Sequence, residues 1–262
     1  MAPARVAYFA ATVGLFAVPV WSLARAPLPL GLLLGLLLTY GALTTLGVLF
    51  LGLRMYVDAV IRGPRGARGL VLTFDDGPHP VHTRAVLDAL DAKSVQGTFF
   101  VIARKAEQHP ELVREIVARG HVVGLHSYAH DRLFSLRSAS AVRRDLTQGI
   151  AALEAMTGER PRLFRPPIGH TSPIIARVVD ELDLTVVGWS VRARDGLAST
   201  TPADVLRRVL PGAEDGAIVL LHDAAEQGDR EPAGVRALPS LLDRLEAERM
   251  PVVPLEVFLR DA

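Results

Sequence analysis

The sequence predicts an α/β fold, an incomplete (β/α) barrel of about seven strands, preceded by an N-terminal transmembrane helical hairpin. Three observations predict it. From Leu70 onward, short apolar segments alternate with amphipathic ones, as strands and helices do in parallel sheets. Reactive side chains recur directly after the predicted strands. Before about residue 54 the chain is apolar with hardly a charge. An open, doubly wound sheet is the alternative for the part after Leu70.

Composition excludes several classes of protein. The chain has 262 residues, a formal net charge of +1 and no cysteine. Nucleic-acid binding needs a concentrated basic surface, so no nucleic-acid partner is expected. Without cysteine there is no disulfide, thiolate metal site or thiol nucleophile. Any bound metal ion must therefore be held by histidine, aspartate or glutamate.

Two uncharged runs begin the chain, from Val6 to Leu23 and from Ala26 to Leu53. A helix needs about 20 apolar residues to cross the hydrocarbon core, so residues 1–55 are predicted to form membrane-embedded helices, with two spans expected. One alternative is a helical hairpin buried in a soluble core. Another is a signal peptide cleaved near Ala24-Arg25-Ala26, which would still leave the second run as a span.

Charge after the second run predicts the topology. The arginines there are Arg54, Arg62, Arg65 and Arg68. Arginine beside a span favours the cytoplasmic side, so an integral cell-membrane protein with a cytoplasm-facing domain is predicted; a single span would reverse this orientation. Residues 56–69 are predicted to be a linker, because Ile61–Gly69 is rich in Gly, Pro and Arg, and the soluble domain would occupy 70–262.

Periodicity assigns the individual elements. The predicted strands are Leu70–Phe74, Thr98–Ile102, Val122–Leu125, Leu163–Phe164, Thr185–Trp189, Ala217–Leu221 and Val252–Val253. The predicted helices are His82–Ala92, Pro110–Arg119, Ala139–Thr157, Pro173–Leu182, Pro202–Val209 and Ala237–Arg249.

Asp75 and Asp76 follow the first predicted strand, and His126 and His130 follow the third. A spacing of four residues would place both imidazoles on one face of a helical turn. Two histidines and a carboxylate are a common ligand set for a catalytic divalent ion. Each pair alone has an ordinary interpretation, either a turn before Gly77-Pro78 or two unrelated surface histidines. Together they favour a metal site.

Three later groups also follow predicted strands. The prolines stiffen the loop Arg165–His170, so its backbone N–H groups could line an oxyanion site while Arg165 orients a carboxylate. Asp195 comes after the fifth strand, and His222 follows the sixth, where a histidine is a natural general acid. Taken alone, the Arg165–His170 segment is equally an ordinary tight loop. For Asp195 or His222 alone, a polar residue at a strand end is the favoured interpretation.

These segments, in this order, resemble the polysaccharide deacetylase family, also called the NodB homology domain or carbohydrate esterase family 4. The resemblance covers essentially all of Leu70 to about Leu255. Its most specific pieces are TFDDGP, which contains Asp75 and Asp76, and HSYAH, which runs from His126 to His130. RPPIG and LLH are weaker singly but correctly ordered. The resemblance implies an incomplete (β/α) barrel and a catalytic domain over 70–262.

The resemblance also implies a role for each site residue. Asp76, His126 and His130 would bind a divalent metal ion, zinc foremost, with cobalt, manganese or nickel as alternatives. Asp75 would be the general base and His222 the general acid. The supporting residues would be Arg165, which steers the base; Asp195, which pairs with His222 or the arginine network; Pro167 and Ile168 at the oxyanion site; and Leu220 in the acyl-methyl pocket.

Some positions depart from the family pattern. The family often has an aromatic residue at Ile168, which matters little if the oxyanion donor is a backbone N–H. It usually has tryptophan at Gly196 and often an acid at Arg192, so an apolar wall is missing here. Arg192 or Arg194 could instead meet an anionic group of the substrate, such as phosphate.

The expected function is metal-dependent removal of an N-acyl group, N-acetyl foremost, from an amino sugar in a glycan or lipid-linked saccharide. The expected partners are that sugar and the membrane, with no obligate protein partner. One alternative is a deformylase acting on a lipid-linked sugar. Another is a membrane-tethered, non-catalytic sugar-binding relative, which should have lost a metal ligand or the base.

Overall fold

The computed structural model describes residues 2–25 and 28–259. Ala26, which belongs to the second uncharged run and to the predicted cleavage motif, lies outside these ranges. Residues 1 and 260–262, which the predicted domains include, also lie outside them. The strands are β1 (Val71–Asp75), β2 (Gly97–Val101), β3 (Val122–Leu125), β4 (Leu163–Phe164), β5 (Thr185–Val186), β6 (Val191–Arg192) and β7 (Ile218–His222). The α-helices are α1 (Pro3–Arg25), α2 (Leu30–Leu49), α3 (His82–Asp91), α4 (Ala103–Gln108), α5 (Pro110–Ala118), α6 (Ala139–Thr157), α7 (Pro173–Glu181), α8 (Pro202–Val209), α9 (Ala233–Ala247) and α10 (Glu256–Leu259).

The strands form one parallel seven-stranded sheet in the order β5-β4-β3-β2-β1-β7-β6. The sheet curls into an open half-barrel, so the predicted incomplete barrel is confirmed. β1 lies between β2 and β7, and its Asp75 pairs in register with Phe100 on β2 and with His222 on β7. Because all strands are parallel, their carboxyl ends and the residues that follow them meet at one edge of the sheet.

The apolar core explains the composition of the central strands. Every residue of β1 and β2 is buried, as is typical of inner strands in a parallel sheet covered by helices. The buried faces of α3, α5, α6 and α9 belong to the same apolar cluster as these strands. The long helix α6 begins where Ser138 accepts from the N–H of Ala141, and it ends at Gly158, whose φ is 78°.

The predicted strand Val252–Val253 is wrong. Val252 forms only an isolated bridge with Leu70, and Val253 N–H donates to the Leu70 carbonyl. Pro251 and Pro254 flank this contact and lack the N–H donors that a longer ladder would need. The bridge therefore cannot extend into a strand.

The seventh strand is instead β6, a separate two-residue strand just after the predicted strand Thr185–Trp189, and periodicity did not predict it. The strand β5 ends at Val186; Val187 N–H still donates to the Phe164 carbonyl, while the carbonyls of Val187 and Gly188 accept hydrogen bonds from the Arg165 side chain. The chain then pairs again as β6 beside β7. The helices differ as well: α4 and α10 are too short to show a period in the sequence and were not predicted, and α9 begins at Ala233 instead of Ala237.

The two N-terminal helices form a hairpin that is long and apolar enough to cross a membrane. They suggest membrane anchoring or a signal sequence. Most of their apolar side chains are exposed, including Leu23 at 91% and Leu38 at 74%. Such exposure does not fit the alternative of a hairpin buried in a soluble core.

The segment after the hairpin packs against the soluble domain. Leu51, Val57 and Ala59 are buried in the main apolar core, and Val60 bridges to Val187 at the edge of the sheet. Arg5 in α1 donates to Asp58 at 2.8 Å, and this pair ties the start of the hairpin to the same segment. Part of the predicted linker, residues 56–69, therefore contributes to the core of the domain.

Candidate active site

The loops at the carboxyl ends of β1, β3, β4, β6 and β7 surround one cavity of about 680 Å³. Most of the residues that the sequence singles out line it: Asp75, Asp76, His126, His130, Ile168, Leu220 and His222. Arg165 and Asp195 are fully buried behind this lining, and Pro167 is buried in the turn 167–169. The parallel topology thus gathers residues from distant parts of the chain into one site.

Asp76, His126 and His130 form a cluster that can hold a metal ion. Their ligand atoms all lie within 4.8 Å of one another. Asp76 Oδ1 is 3.5 Å from His126 Nε2 and 3.3 Å from His130 Nε2. This oxygen is buried and accepts no hydrogen bond from the part of the chain that the structure describes. Buried polar atoms are almost always paired, so two imidazole nitrogens facing a lone carboxylate oxygen fit a divalent cation.

His126 is held in the form that a metal ion requires. Its Nδ1 lies 2.7 Å from the backbone carbonyl of Arg165, and because a carbonyl only accepts, Nδ1 must carry the proton. Nε2 then keeps its lone pair, directed at Asp76. Burial lowers the pKa of His126, which keeps the imidazole neutral.

The two histidines converge through a loop, so the predicted helical turn is wrong. No helix spans His126 to His130, and Ser127 and His130 have positive φ values of 65° and 54°. One bond from outside and one within the loop hold it: Asp145 of α6 accepts from Tyr128 N–H at 2.8 Å, and Ser127 Oγ accepts from His130 N–H at 2.8 Å. These bonds stabilise a backbone conformation that is unfavourable for residues other than glycine.

Asp75 is paired with a fully buried arginine. Its Oδ1 accepts from Arg165 Nη1 at 2.6 Å. The other donors of this guanidinium are also used, by Thr73 Oγ1 and by the carbonyls of Val187 and Gly188, while its carbon lies 4.1 Å from the centre of the Phe100 ring. The guanidinium therefore fixes one oxygen of Asp75. The second oxygen, Oδ2, lies 3.8 Å from His126 Nε2, beside the metal ligands.

His222 is paired with a buried carboxylate. Its Nδ1 is 2.8 Å from Asp195 Oδ1, and its backbone N–H donates to Asp195 Oδ2 at 2.9 Å. Burial favours the neutral imidazole, but the Asp195 carboxylate outweighs this effect and raises the pKa of His222 to about 9. Nε2 lies 3.9 Å from Asp76 Oδ2, so a proton on Nε2 would face the centre of the site.

The turn after β4 carries the expected oxyanion residues. Ile168 adopts a positive φ of 49° and lines the cavity with 36% of its surface exposed. Gly169 must lack a side chain, because a Cβ there would come within 2.4 Å of the Trp189 ring. Leu220 lies two residues before His222 on β7, so both side chains leave the same face of the strand.

Several residues of the site were not found by sequence reasoning. Lys105 Nζ donates to the carbonyls of Asp76 at 2.8 Å and Ala225 at 2.6 Å, which joins the loops after β1 and β7. Glu226 lies 3.3 Å from His130 Nδ1. A Cβ on Gly234 would sit 2.1 Å from Asp195 Oδ2, so this glycine makes room for the carboxylate. These residues lie in helices or in the long loop after β7. They do not directly follow a predicted strand, which is the signal that identified the other site residues.

Arginines form the outer lining of the cavity. They are Arg132, Arg192, Arg194 and Arg230. Arg192 lies beside Trp189, with its guanidinium carbon 5.8 Å from the ring centre. Gly196 is also part of the lining, and a Cβ there would be 3.6 Å from the His222 ring. A side chain at this position would therefore contact the imidazole, and glycine leaves that contact unmade.

Comparison with known proteins identifies the family. Residues 62–187 match the family model described as polysaccharide deacetylase. The chain is 35% identical over 198 residues to a chitooligosaccharide deacetylase of Bradyrhizobium sp. (strain ANU 289), which covers 72% of this chain and 90% of the relative. It is 38% identical over 154 residues to the peptidoglycan-N-acetylglucosamine deacetylase PgdA of Listeria monocytogenes serotype 1/2a (strain 10403S), covering 59% of this chain. The match spans only 32% of the length of that Listeria protein.

A solved structure supports the same assignment. The family 4 acetyl xylan esterase from Clostridium thermocellum, in complex with a cobalt ion, superposes with a TM-score of 0.66 at 33% sequence identity. The superposition covers 72% of this chain and 90% of that one. The resemblance found in the sequence is thereby confirmed, and this chain belongs to the polysaccharide deacetylase family.

Proposed function

We propose that this protein is a carbohydrate N-deacetylase, a hydrolase that cleaves the amide bond of an N-acetylated amino sugar with the help of a divalent metal ion. One observation carries the proposal. The buried Asp76-His126-His130 set lies in a single cavity between a paired carboxylate, Asp75, and a paired imidazole, His222. A base and an acid on either side of a metal site are the groups that hydrolysis of an amide requires.

The ligand set suits zinc, and it would also accept cobalt, manganese or nickel. Asp76 Oδ1, His126 Nε2 and His130 Nε2 would hold the ion and leave positions open for water and substrate. Such an ion polarises the amide carbonyl and lowers the pKa of a bound water.

Asp75 would act as the general base. Arg165 fixes Oδ1, so the carboxylate cannot rotate freely and Oδ2 stays beside the metal ligands. There Oδ2 can accept a proton from water as its oxygen attacks the carbonyl carbon. The backbone N–H of Ile168 would donate to the developing oxyanion, and Leu220 would border the acetyl methyl group.

His222 would act as the general acid. Asp195 favours the imidazolium, so Nε2 carries a proton at neutral pH. When the carbon–nitrogen bond breaks, the sugar nitrogen takes this proton and leaves as an amine. The water oxygen remains on the acyl carbon, so the products are acetate and an amino sugar.

The substrate class follows from the relatives. Chitooligosaccharides and peptidoglycan N-acetylglucosamine appear in their names, so an N-acetylglucosamine-containing saccharide is the proposed substrate. The hairpin is proposed to anchor the protein in the cell membrane, with the catalytic domain facing the cytoplasm. Reporter fusions at the C-terminus would test this. Activity of a reporter that works only outside the cytoplasm would show that the catalytic domain lies outside, and it would favour an external glycan as substrate.

The activity test measures acetate released from N-acetylchitooligosaccharides by the detergent-solubilised full chain, with zinc and with a chelator. We expect release that depends on the metal and falls by about 10²–10⁴-fold in Asp75→Asn, the size of a general-base contribution. The matched control is Asp88→Asn, a surface carboxylate paired with Arg119, which should retain activity. Stoichiometric zinc binding without hydrolysis of any N-acetylated or N-formylated sugar would favour a non-catalytic, sugar-binding protein.

A further inference from the structure

The cavity carries more positive charge than the proposed reaction requires. Arg132 is neutralised by Glu226, with Nε 2.9 Å from Oε1. Arg192 and Arg194 have no carboxylate within 4.0 Å in the described ranges 2–25 and 28–259, and Arg230 donates to the carbonyl of Gly196. Three guanidiniums thus line the cavity without a paired acid.

The carboxylates of the site cannot compensate these charges. Asp75 is held by Arg165, and Asp195 is paired with His222. Asp76 belongs to the metal set. With a divalent cation bound, three further cations lining the same cavity add to the positive charge there, and this repulsion falls when an anion enters.

Two of the arginines lie beside the groups proposed to meet the substrate, because Arg192 neighbours Leu220 and Arg230 donates to the carbonyl of Gly196. Arg192 is in register with Leu220, so its side chain leaves the cavity face of the sheet beside the proposed acetyl pocket. Gly196 has no side chain beside the His222 ring, where a Cβ would lie 3.6 Å from the imidazole. A sugar whose nitrogen lies near His222 would therefore place its substituents among the guanidiniums.

We propose that the cavity accepts an N-acetylated amino sugar that carries a phosphate group, which Arg192, Arg194 and Arg230 bind. This inference rests on the proposed N-deacetylase function. Guanidinium is a planar fork that matches phosphate oxygens in pairs, whereas a neutral oligosaccharide offers no counter-charge. The phosphate can belong to a soluble sugar phosphate or to a lipid-linked sugar.

The hairpin lies next to the same cavity. Thr171 N–H donates to the carbonyl of Val48 at the end of α2, at 3.1 Å, and Thr171 belongs to the loop that carries Ile168 into the cavity. A sugar phosphate held at the membrane surface would therefore reach the site over a short distance. For this reason the lipid-linked form is expected to be the better substrate.

The test compares three probes on the zinc-loaded full chain in detergent: chitotriose, N-acetylglucosamine 1-phosphate and polyprenyl-phosphate N-acetylglucosamine. Acetate release yields kcat/KM, and calorimetry yields Kd. We expect both phosphorylated probes to exceed chitotriose at least tenfold in kcat/KM. Arg192→Gln and Arg194→Gln should each reduce this preference about tenfold, as loss of a charged hydrogen bond does. Arg192→Lys should recover part of it.

The control is Arg244→Gln, which removes the same charge from an exposed position on α9 outside the cavity and should leave the preference unchanged. Kd measured with chelator present separates contact with arginine from contact with zinc. Equal kcat/KM for neutral and phosphorylated probes, or an unchanged preference in the two glutamine variants, would overturn the proposal. If no probe is hydrolysed, the N-deacetylase proposal fails, and the ratio of Kd values alone decides whether the cavity binds phosphate.

Discussion

The buried pair of Asp75 and Arg165 allows a quantitative prediction for Arg165→Met. Arg165 is fully buried and the side chain of Asp75 is 5% exposed, so solvent screens little of their interaction. Removing one partner of a buried ion pair costs about 3–5 kcal/mol, because the other charge stays buried and unpaired. The carbonyls of Val187 and Gly188 also lose their donor, at about 1–3 kcal/mol each where no water replaces it.

These penalties are not additive, because one shift of the surrounding structure can relieve several of them. The free energy of unfolding of Arg165→Met is therefore expected to fall by about 5 kcal/mol in total. A change of 1 kcal/mol shifts the Tm of a domain of this size by about 2–4 °C, so Tm should fall by roughly 10–20 °C. Thermal unfolding followed by circular dichroism, with chelator present, measures the folding contribution without that of metal binding.

A double variant separates charge from packing. Asp75→Asn combined with Arg165→Met removes the unpaired charge, so it should be more stable than Arg165→Met alone by about 2 kcal/mol. Arg244→Met, at an exposed position, should leave Tm nearly unchanged. A decrease in Tm of less than about 3 °C in Arg165→Met, or a double variant no more stable than Arg165→Met alone, would refute the reasoning.

Three further predictions concern the metal set and the acid. Asp76→Asn should weaken zinc binding by about 100-fold or more, since it removes the charged ligand, and titration against a competing chelator measures this. The pKa of His222 rises from 6.5 to about 9 on folding, so its charge stabilises the fold fully below pH 6.5 and this contribution is lost as pH rises through about 9. The Tm of the metal-free protein should fall over that range, and a fall of the same size in His222→Gln would contradict the assignment. Gly234→Ala should cost about 1–3 kcal/mol and reduce kcat because its Cβ displaces Asp195, whereas Gly52→Ala, which has no neighbour within 4 Å, should do neither; chemical denaturation and acetate release check both variants.

The sequence predicted the fold class because the alternation of strands and helices is local information. The metal set could be predicted for a related reason. Asp76, His126 and His130 each follow a strand, and parallel strands bring their carboxyl ends together whatever the details of packing. The predictions of strand bounds failed where contacts between residues far apart in the sequence determine the backbone conformation. The carbonyls of Val187 and Gly188 bond to the Arg165 side chain where β5 ends, and the prolines around Val252 limit that contact to a single bridge.

The sequence by itself determined the α/β class, the apolar hairpin, the family and the identity of the metal ligands, since motif order and periodicity encode these. Only the tertiary structure decided how the site is held and charged. The fully buried Arg165 that fixes Asp75, the glycine that makes room for Asp195, and the unpaired guanidiniums near Gly196 depend on contacts between residues far apart in the chain. A linear pattern shows where a charge occurs, but whether an opposite charge neutralises it depends on the distance between them in the folded chain.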